Sequence, residues 1–264
     1  LYYGWANGTF VFGSELSALR KFPTFNANIN RDSLALLLRH SNIPAPYTIY
    51  CDCWKLMPGT IVSIDKKAVE RRSLPKPTSY WSTVEAANNS LSKPVLLSTG
   101  DTIDALESLL GDAVSACMVS DAPIGAFLSG GVDSSTIVAL MQTKSSQPVR
   151  TFSIGFTENM YNEAAAAAQI SRHLGTNHTE LYITAEDAQK VIHDLPTIYD
   201  EPFADSSALP TYLVSKLARD QVTVALSGDG GDEVFFGYNR HKALGQIERR
   251  VSAVPAPMRR MGAA

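Results

Sequence analysis

The sequence has 264 residues, of which 45% are hydrophobic and 19% are charged, and its formal net charge is −3. This composition is typical of a globular protein, with enough length for one large domain or two smaller ones. The slightly acidic balance argues against a nucleic-acid partner, because such proteins usually carry a basic surface. No apolar run approaches the roughly 20 residues that span a membrane, so we expect no membrane association.

The cysteines are few and show no pattern of a disulfide framework. Cys51, Cys53 and Cys117 are the only three, which is typical of a protein in a reducing compartment. Cys51 and Cys53 flank a single residue and have the chemistry of metal ligands, but no second pair or histidine cluster accompanies them. We therefore expect a cytoplasmic protein with no metal at these cysteines.

In chain order, the first predicted element is a β-hairpin. Apolar and aromatic residues at 1–5 and 9–13 surround Asn7-Gly8, a dipeptide that favours tight hairpin turns. A short helix over residues 14–21 follows. It is expected to end before Pro23, because proline disfavours helical backbone in the residue before it.

The next elements are less regular. Asp32 and Ser33 can cap a second helix that ends near His40. After a proline-containing loop, residues 60–64 predict another strand. Residues 82–100 are rich in Ser, Ala and Asn, and we expect them to form a linker.

After residue 100 the chain alternates between helical and strand patterns. Asp101 can cap a helix whose apolar residues recur at helical spacing as far as Cys117. The predicted strands that follow cover 124–128, 149–154, 180–183 and 222–226, and the predicted helices cover 134–142, 162–174, 186–195 and 208–220. Gly175 is expected to end one helix and Pro210 to lie in the first turn of another. This alternation predicts an α/β fold with a mostly parallel sheet and helices on both faces.

Two Gly-rich segments follow predicted buried strands. Residues 129–135 read Ser-Gly-Gly-Val-Asp-Ser-Ser, and residues 227–233 read Ser-Gly-Asp-Gly-Gly-Asp-Glu. Because ligands in parallel sheets bind at the carboxyl ends of the strands, both loops can contribute to one site.

The first loop has the chemistry of a phosphate cradle. Its glycines let the backbone approach an anion, and Ser129, Ser134 and Ser135 carry hydroxyl donors. Asp133 would repel phosphate directly, so we interpret it as a Mg²⁺ ligand. The Gly-Lys-Ser or Gly-Lys-Thr of a Walker loop is absent. The alternative interpretation is a sharp strand-to-helix turn in which Ser and Asp cap the helix.

The second loop favours the phosphate and metal interpretation. Asp229, Asp232 and Glu233 place three carboxylates within five residues. They could simply interact favourably with a helix N-terminus. A divalent cation shared with a phosphate chain accounts better for the presence of both loops.

These segments resemble those of a known family. Residues 129–135 resemble the pyrophosphate loop of the ATP pyrophosphatases, which cleave ATP between its α and β phosphates. Residues 226–233, with Phe235-Phe236-Gly237-Tyr238 after them, resemble the second signature of the asparagine synthetases. The segments that agree with the same branch are 151–156, 174–180 and 200–207.

The resemblance extends to the start of the chain and implies its domains. Residues 1–19 look like the final hairpin of the family's glutaminase domain. Residues 1–81 would form the C-terminal part of that α+β N-terminal-nucleophile (class II amidotransferase) domain, and 82–100 the linker. Residues 101–264 would form the N-terminal part of the ATP-pyrophosphatase domain, an adenine nucleotide α-hydrolase-like fold.

The resemblance implies a ligase reaction. Ammonia from glutamine would attack a β-aspartyl-AMP intermediate, with release of asparagine, AMP and pyrophosphate. The implied partners are aspartate, ATP and glutamine or ammonia, and the implied cofactors are ATP and Mg²⁺. The oligomeric state is left open, with a homodimer as one candidate.

The resemblance also implies roles for individual residues. Asp133 and Asp232 would bind Mg²⁺, and Asp229 matches an acidic position linked to formation of the acyl-adenylate. The residues expected to hold pyrophosphate are Ser129, Gly130, Gly131, Asp133, Ser134 and Ser135. The residues expected around the adenosine and α-phosphate are Leu128, Ile154, Ser227 and Gly228.

Some positions depart from the family pattern. Asp229 stands where many members have Glu, Phe236 where Gly is usual, and Asn162 where Asp is often found. The family's glutaminase nucleophile is an N-terminal Cys, and no cysteine here is terminal. We therefore expect a piece of a longer protein that does not itself hydrolyse glutamine.

Three alternatives remain. A related amidotransferase would act on another carboxylate, such as a sugar acid or a β-lactam precursor, and substrate-dependent pyrophosphate release would identify it. A non-catalytic homologue would bind nucleotide without turnover. A tRNA-modifying ATP pyrophosphatase would be expected to show a basic surface or cysteine chemistry near the loop.

Overall fold

The computed structural model describes residues 1–156, 163–239, 241, 243–245 and 247. The chain divides into two compact units. The first contains Leu1–Ser98 and Ala185–Leu209, and the second contains Thr99–Thr184 and the described residues from Pro210 onward. None of the described helices is long and apolar enough to cross a bilayer.

The first unit begins with the predicted hairpin. Strands β1 (Tyr2–Ala6) and β2 (Thr9–Gly13) pair antiparallel. Asn7 and Gly8 between them have φ of 45° and 85°, and two positive φ angles are what a tight type I′ turn requires. A strand that the sequence did not predict, β3 (Cys53–Lys55), pairs antiparallel with the other side of β1.

Two helices follow the hairpin, α1 (Leu16–Arg20) and α2 (Arg31–His40). The prediction that Asp32 or Ser33 caps α2 is wrong. Asn30 is the N-cap, and its side chain accepts hydrogen bonds from the backbone N–H groups of Asp32 and Ser33. Those residues already lie inside the first turn, where they donate to the cap. The core of this part contains Leu16, Leu19, Ile43, Ile49, Tyr50 and Cys53.

The rest of the first stretch contains short elements. Strands β4 (Thr60–Ile61) and β5 (Thr78–Ser79) pair antiparallel, so the predicted strand at 60–64 is shorter than expected. Helix α3 (Lys66–Glu70) lies between them. Helix α4 (Thr83–Ser92), capped by the hydroxyl of Ser82, occupies much of the segment predicted as a linker.

A second stretch of chain completes the first unit. Helix α8 (Ala185–Ile192) and the short α9 (Leu195–Ile198) replace the single helix predicted for residues 186–195. Asp194 precedes α9 and Pro196 lies in its first turn, where a missing N–H costs nothing. The pair therefore forms two helices with a break between them.

The second unit contains helix α5 (Thr99–Cys117) and a four-stranded sheet. The strands are β6 (Ile124–Phe127), β7 (Arg150–Phe156), β8 (Asn177–Ile183) and β9 (Val224–Leu226). Their order is β8-β7-β6-β9, and every pair is parallel. This confirms the predicted α/β fold.

Helices cover both faces of this sheet. Successive residues of a strand point to opposite faces, and Ala126 belongs to one hydrophobic cluster whereas Phe127 packs against another. The first cluster includes residues of α5, of α6 (Val132–Lys144) and of α7 (Ala164–Leu174). The second includes Phe152 together with residues of α10 (Ala208–Arg219).

Two predicted helix signals are confirmed. Gly175 follows α7 with a φ of 74°, the left-handed conformation of a C-cap. Pro210 lies in the first turn of α10, where its missing N–H costs no hydrogen bond. The predicted start of α7 at Asn162 lies outside the described residues.

The strand order places the two Gly-rich loops at one point of the sheet. β7 pairs with one side of β6 and β9 with the other, so the crossover connections diverge between β6 and β9. In open parallel sheets, ligands bind outside the carboxyl ends of the strands at such a point.

Candidate active site

The first Gly-rich loop leaves β6 through a buried residue. Leu128 is 1% exposed and belongs to the core, and its N–H donates to the carbonyl oxygen of Phe152 at 2.9 Å. Any contact between Leu128 and a nucleotide would therefore come from its backbone.

Gly130 allows this loop to pack closely on a neighbouring helix. Its φ is 86°, and a Cβ placed there would lie 2.8 Å from the Cβ of Ala166 and 3.0 Å from the N of Ala167, both in α7. A side chain would therefore meet both backbone strain and a steric clash.

The start of α6 is open to an anion. Its N-cap is Gly131, which has no side chain to cap the helix, and the N–H of Gly131 itself donates to the hydroxyl of Ser129 at 3.3 Å. The first N–H groups of a helix have no partner within it, and they bind anions when no side chain satisfies them. The structure thus contains the strand-to-helix turn of the alternative interpretation, with Gly131 rather than Ser or Asp as the N-cap residue.

The serine hydroxyls of the loop bond mainly to one another and to its backbone. The Oγ atoms of Ser129 and Ser134 are 3.0 Å apart, and Ser135 donates its hydroxyl to the carbonyl of Gly131 at 2.6 Å. Ser134 is only 8% exposed. These bonds hold the loop in shape, and direct donation from the hydroxyls to phosphate stays a prediction.

The second Gly-rich loop joins β9 to α11 (Gly231–Phe235) and contacts the first. A Cβ at Gly228 would lie 2.6 Å from the N of Ser134, and one at Gly231 would lie 2.5 Å from the carboxyl of Asp133. Only glycine permits this approach. The structure therefore confirms that the two loops meet at one edge of the sheet.

The carboxylates of the second loop point in different directions. Asp229 is exposed and accepts a hydrogen bond from the hydroxyl of Ser227 at 3.0 Å. The carboxylate of Asp232 lies against the α-carbon of Gly237. Glu233 accepts a hydrogen bond from Tyr238 at 2.7 Å, so it is already engaged.

The donor set suits Mg²⁺ shared with phosphates better than a metal held by protein alone. Within the described residues, no three His, Cys, Asp or Glu side chains gather as a metal site. No described lysine or arginine pairs with Asp133, Asp229 or Asp232. Mg²⁺ commonly takes one or two carboxylates and completes its shell with phosphates and water. Asp133 and Asp232 fit that requirement in number and type.

Phe236 occupies a backbone conformation that favours glycine. Its φ and ψ are 59° and 39°, and it ends α11 in the left-handed region. A side chain there costs about 1–2 kcal/mol. This explains why a glycine suits the position, and it means that Phe236 keeps the turn at the cost of strain. Asn162, another position that departs from the family pattern, lies outside the described residues.

Ile154 lies on β7 and packs against the cluster around Phe152. It is partly buried, so only part of its side chain is available to an adenosine. Its nucleotide contact stays a prediction.

Sequence reasoning missed a buried polar network between β7, β8 and α7. His178 bonds through Nδ1 to the hydroxyl of Thr151 at 2.8 Å and through Nε2 to that of Ser153 at 3.1 Å. Thr151 continues to Thr176, which bonds to Ser171. In the sequence, residues 174–180 stand out only through their resemblance to the family. Because Asn177, His178 and Thr179 are polar, the apolar pattern predicted β8 to start three residues later than it does.

Burial changes the protonation of this histidine. Loss of water around the imidazole lowers the pKa of His178 below its ordinary value of 6.5, although the nearby Glu180 carboxylate opposes the effect. Its two hydroxyl partners can satisfy the neutral ring. His178 therefore acts as a neutral structural group at physiological pH.

The cysteines are free thiols in different surroundings. Cys53 is 3% exposed, and burial raises the pKa of its thiol to about 11. Cys51 is half-buried and Cys117 is exposed. The buried Cys53 thiol is therefore protonated at neutral pH.

Comparisons with known proteins match two parts of the chain to two family models. Residues 105–263 match the family model described as asparagine synthase, and residues 1–81 match the glutamine amidotransferase domain.

Several curated relatives are similar over much of the chain. A protein of Methanocaldococcus jannaschii that carries the name of a glutamine-hydrolysing asparagine synthetase is 40% identical over 91% of this chain and 45% of its own length. Asparagine synthetase 1 of Bacillus subtilis is 31% identical over 99% of this chain and 39% of its own. Asparagine synthetase B of Escherichia coli is 32% identical over 50% of this chain and 26% of its own. The chain thus spans less than half the length of these relatives.

Proposed function

The chain belongs to the asparagine synthase family, and on that premise we propose that a protein containing it converts aspartate to asparagine with ATP and glutamine or ammonia. The reaction would proceed through β-aspartyl-AMP and release AMP and pyrophosphate. The names of the relatives support this reaction class.

One observation carries the proposal. The backbone of Gly228 and Gly231 lies directly on Ser134 and Asp133 at the start of α6. This contact puts the start of α6, with its glycine N-cap, next to the loop that carries Asp229 and Asp232. An anion with an attached cation is the ligand that such a mixed environment suits.

The first loop would bind the pyrophosphate part of ATP. The open N–H groups at the start of α6 and the backbone around Gly130 would hold the departing phosphates in line with the attacking carboxylate. Ser129 and Ser135 lie on the accessible side of this loop, whereas the buried Ser134 would support its shape.

Asp133 and Asp232 would hold Mg²⁺ together with phosphate oxygens. Bound Mg²⁺ supplies positive charge that offsets the charge on the leaving pyrophosphate. Without such a cation, the two carboxylates would repel the nucleotide.

Asp229 would act nearest to the acyl group. Its exposed carboxylate is fixed by the hydroxyl of Ser227, and it lies on the second loop beside the open helix. Such a position lets it orient the group that attacks the α-phosphorus. Ser227, Gly228, Ile154 and the backbone of Leu128 would contact the adenosine and α-phosphate.

An isotope experiment tests the reaction. The full-length protein is given ATP, Mg²⁺, ammonia and aspartate labelled with ¹⁸O in its β-carboxylate. One labelled oxygen is expected in the phosphate of AMP, because that oxygen attacks phosphorus and stays with AMP when ammonia displaces it. Formation of ADP would contradict the proposal, and pyrophosphate release with another carboxylate would change the acceptor.

Asp229→Asn tests the proposed role of Asp229 in the reaction. It should lower AMP formation by about 100-fold while binding of Mg-ATP persists. Glu107→Gln removes an exposed acid from α5 and serves as the control, with unchanged turnover. Equal rates in both variants would remove Asp229 from the site.

A further inference from the structure

One stretch of the chain that matches the asparagine synthase family folds in the same compact unit as the residues that match the amidotransferase domain. Ala185–Leu209 lies inside residues 105–263, yet it belongs to the same compact unit as Leu1–Ser98. The family matches are contiguous in sequence, whereas the structural units are not. Something in this stretch must fix it to the earlier residues.

Asp200 provides the first attachment. Its two carboxylate oxygens accept hydrogen bonds from the backbone N–H groups of Leu16, at 2.5 Å, and Ser17, at 2.9 Å. These N–H groups open α1, and the residue before it, Glu15, makes no side-chain cap. Asp200 therefore caps α1 across 184 residues of sequence.

Glu201 provides the second attachment. One oxygen accepts from the N–H of Ile49 at 2.7 Å, and the other pairs with the ammonium of Lys55 at 2.5 Å. Lys55 also donates to the carbonyl of Ile43 at 2.6 Å. The side chains of Lys55 and Glu201 are 21% and 10% exposed, so water screens the pair only weakly.

Two further observations place these acids inside the unit. The N–H of Ala204 donates to the carbonyl of Ser41 at 2.7 Å. Burial, followed by the charges of Glu201 and Asp200, raises the pKa of Tyr2 to about 12. Both acids thus lie near Tyr2, a partly buried residue of the hairpin that packs against the core.

We propose that Asp200 and Glu201 are positioning residues that couple glutamine hydrolysis to asparagine synthesis by fixing the 199–204 segment to α1 and to residues 43–55. This inference rests on the proposed function. Among the described residues, every hydrogen-bond and ion-pair partner of the two acids lies within residues 1–81, which match the amidotransferase domain. All four carboxylate oxygens of Asp200 and Glu201 have a partner, so both acids serve this attachment.

The test compares two nitrogen donors in the full-length protein. Asp200→Asn keeps one acceptor oxygen and Asp200→Ala removes both. The rate of glutamine-dependent synthesis is expected to fall about ten-fold. This is less than the loss of about 100-fold in rate that a misplacement of about 1 Å can cause. Ammonia-dependent synthesis should stay within about two-fold, and more glutamine should be consumed per asparagine formed. Asp187→Asn, a half-buried acid of α8 that pairs with Lys190 at 3.2 Å, is the control.

The outcomes separate the two proposals. An unchanged ratio of glutamine consumed to asparagine formed in both Asp200 variants would overturn the coupling role, and so would an equal fall with both donors. If the unsubstituted protein makes no asparagine even from ammonia, the proposed function fails instead. Hydrogen exchange at Leu16 and Ser17 then decides the attachment: faster exchange in Asp200→Asn but not in Asp187→Asn supports it, and unchanged exchange overturns it.

Discussion

The acidic side chains of the two units have different surroundings. In the first unit, Asp200 and Glu201 are fully engaged by backbone N–H groups and by Lys55. At the sheet edge of the second unit, Asp133, Asp229 and Asp232 have no described lysine or arginine as partner. Charges of the first kind stabilise the native structure, whereas charges of the second kind suit a ligand that brings its own cation.

This contrast predicts opposite effects of neutralising an acid. Removing a satisfied carboxylate should destabilise the fold, because its partners are left without a counter-charge. Removing an open one should leave the fold unchanged or stabilise it, and should weaken ligand binding. Four measurements, ordered by their expected effect on the free energy of unfolding, test the contrast.

The largest effect is expected for Glu201→Gln. The variant keeps an acceptor for Ile49 but leaves the Lys55 ammonium without its charge partner, which should cost about 2–3 kcal/mol of unfolding free energy. Denaturant unfolding measures the change. The control, Glu70→Gln, breaks an exposed pair with Lys66 at 3.8 Å and should cost less than about 0.5 kcal/mol. Equal losses of unfolding free energy in Glu201→Gln and Glu70→Gln would contradict the special role of the Glu201 charge.

Gly228→Ala tests whether the backbone contact between the two Gly-rich loops keeps Asp133, Asp229 and Asp232 near one another. Its Cβ would meet the N of Ser134, so we expect a loss of about 1–3 kcal/mol and weaker binding of Mg-ATP. The control, Gly111→Ala in α5, meets only the end of Lys144 at 3.8 Å. This variant should gain up to about 1 kcal/mol in unfolding free energy, because alanine favours helical backbone more than glycine does. A harmless Gly228→Ala would mean that the loops do not need this contact.

His178 sharpens the comparison, because it is a satisfied titratable group in the second unit. Its pKa is lowered by burial, so the unfolded chain binds the proton more readily. Its contribution to stability is fully present above pH 6.5, its ordinary pKa, and is lost as the pH falls toward the lowered value. Unfolding followed between about pH 7.5 and pH 5 should show a steeper loss than in His178→Gln. Identical slopes would exclude this role.

The smallest effect on stability is expected for Asp133→Asn. Removing one of several neighbouring like charges should raise the free energy of unfolding by up to about 0.5 kcal/mol. The affinity for Mg-ATP should fall about ten-fold, as calorimetry would show, because Mg²⁺ loses a charged ligand. Affinity for ATP without Mg²⁺ is the internal control and should not fall. A large destabilisation would mean that Asp133 is structural.

The sequence by itself determined the elements that depend on local chemistry. Asn7-Gly8 specified the hairpin turn, Gly175 ended α7, and the strand–helix alternation predicted the parallel sheet. The glycines of both loops were recognisable because close backbone approach excludes a side chain. Parallel strands share one edge, so the meeting of the loops also followed from the pattern.

Only the tertiary structure decided how the remaining polar groups are satisfied. Asn30 rather than Asp32 caps α2, and Asp200 caps α1 from a distant part of the chain. Similarly, His178 finds its hydroxyl partners on a neighbouring strand. A hydrogen bond requires its two atoms to lie within about 3 Å at a suitable angle. For residues far apart in sequence, that proximity is produced by packing of the whole fold, and local sequence does not encode it.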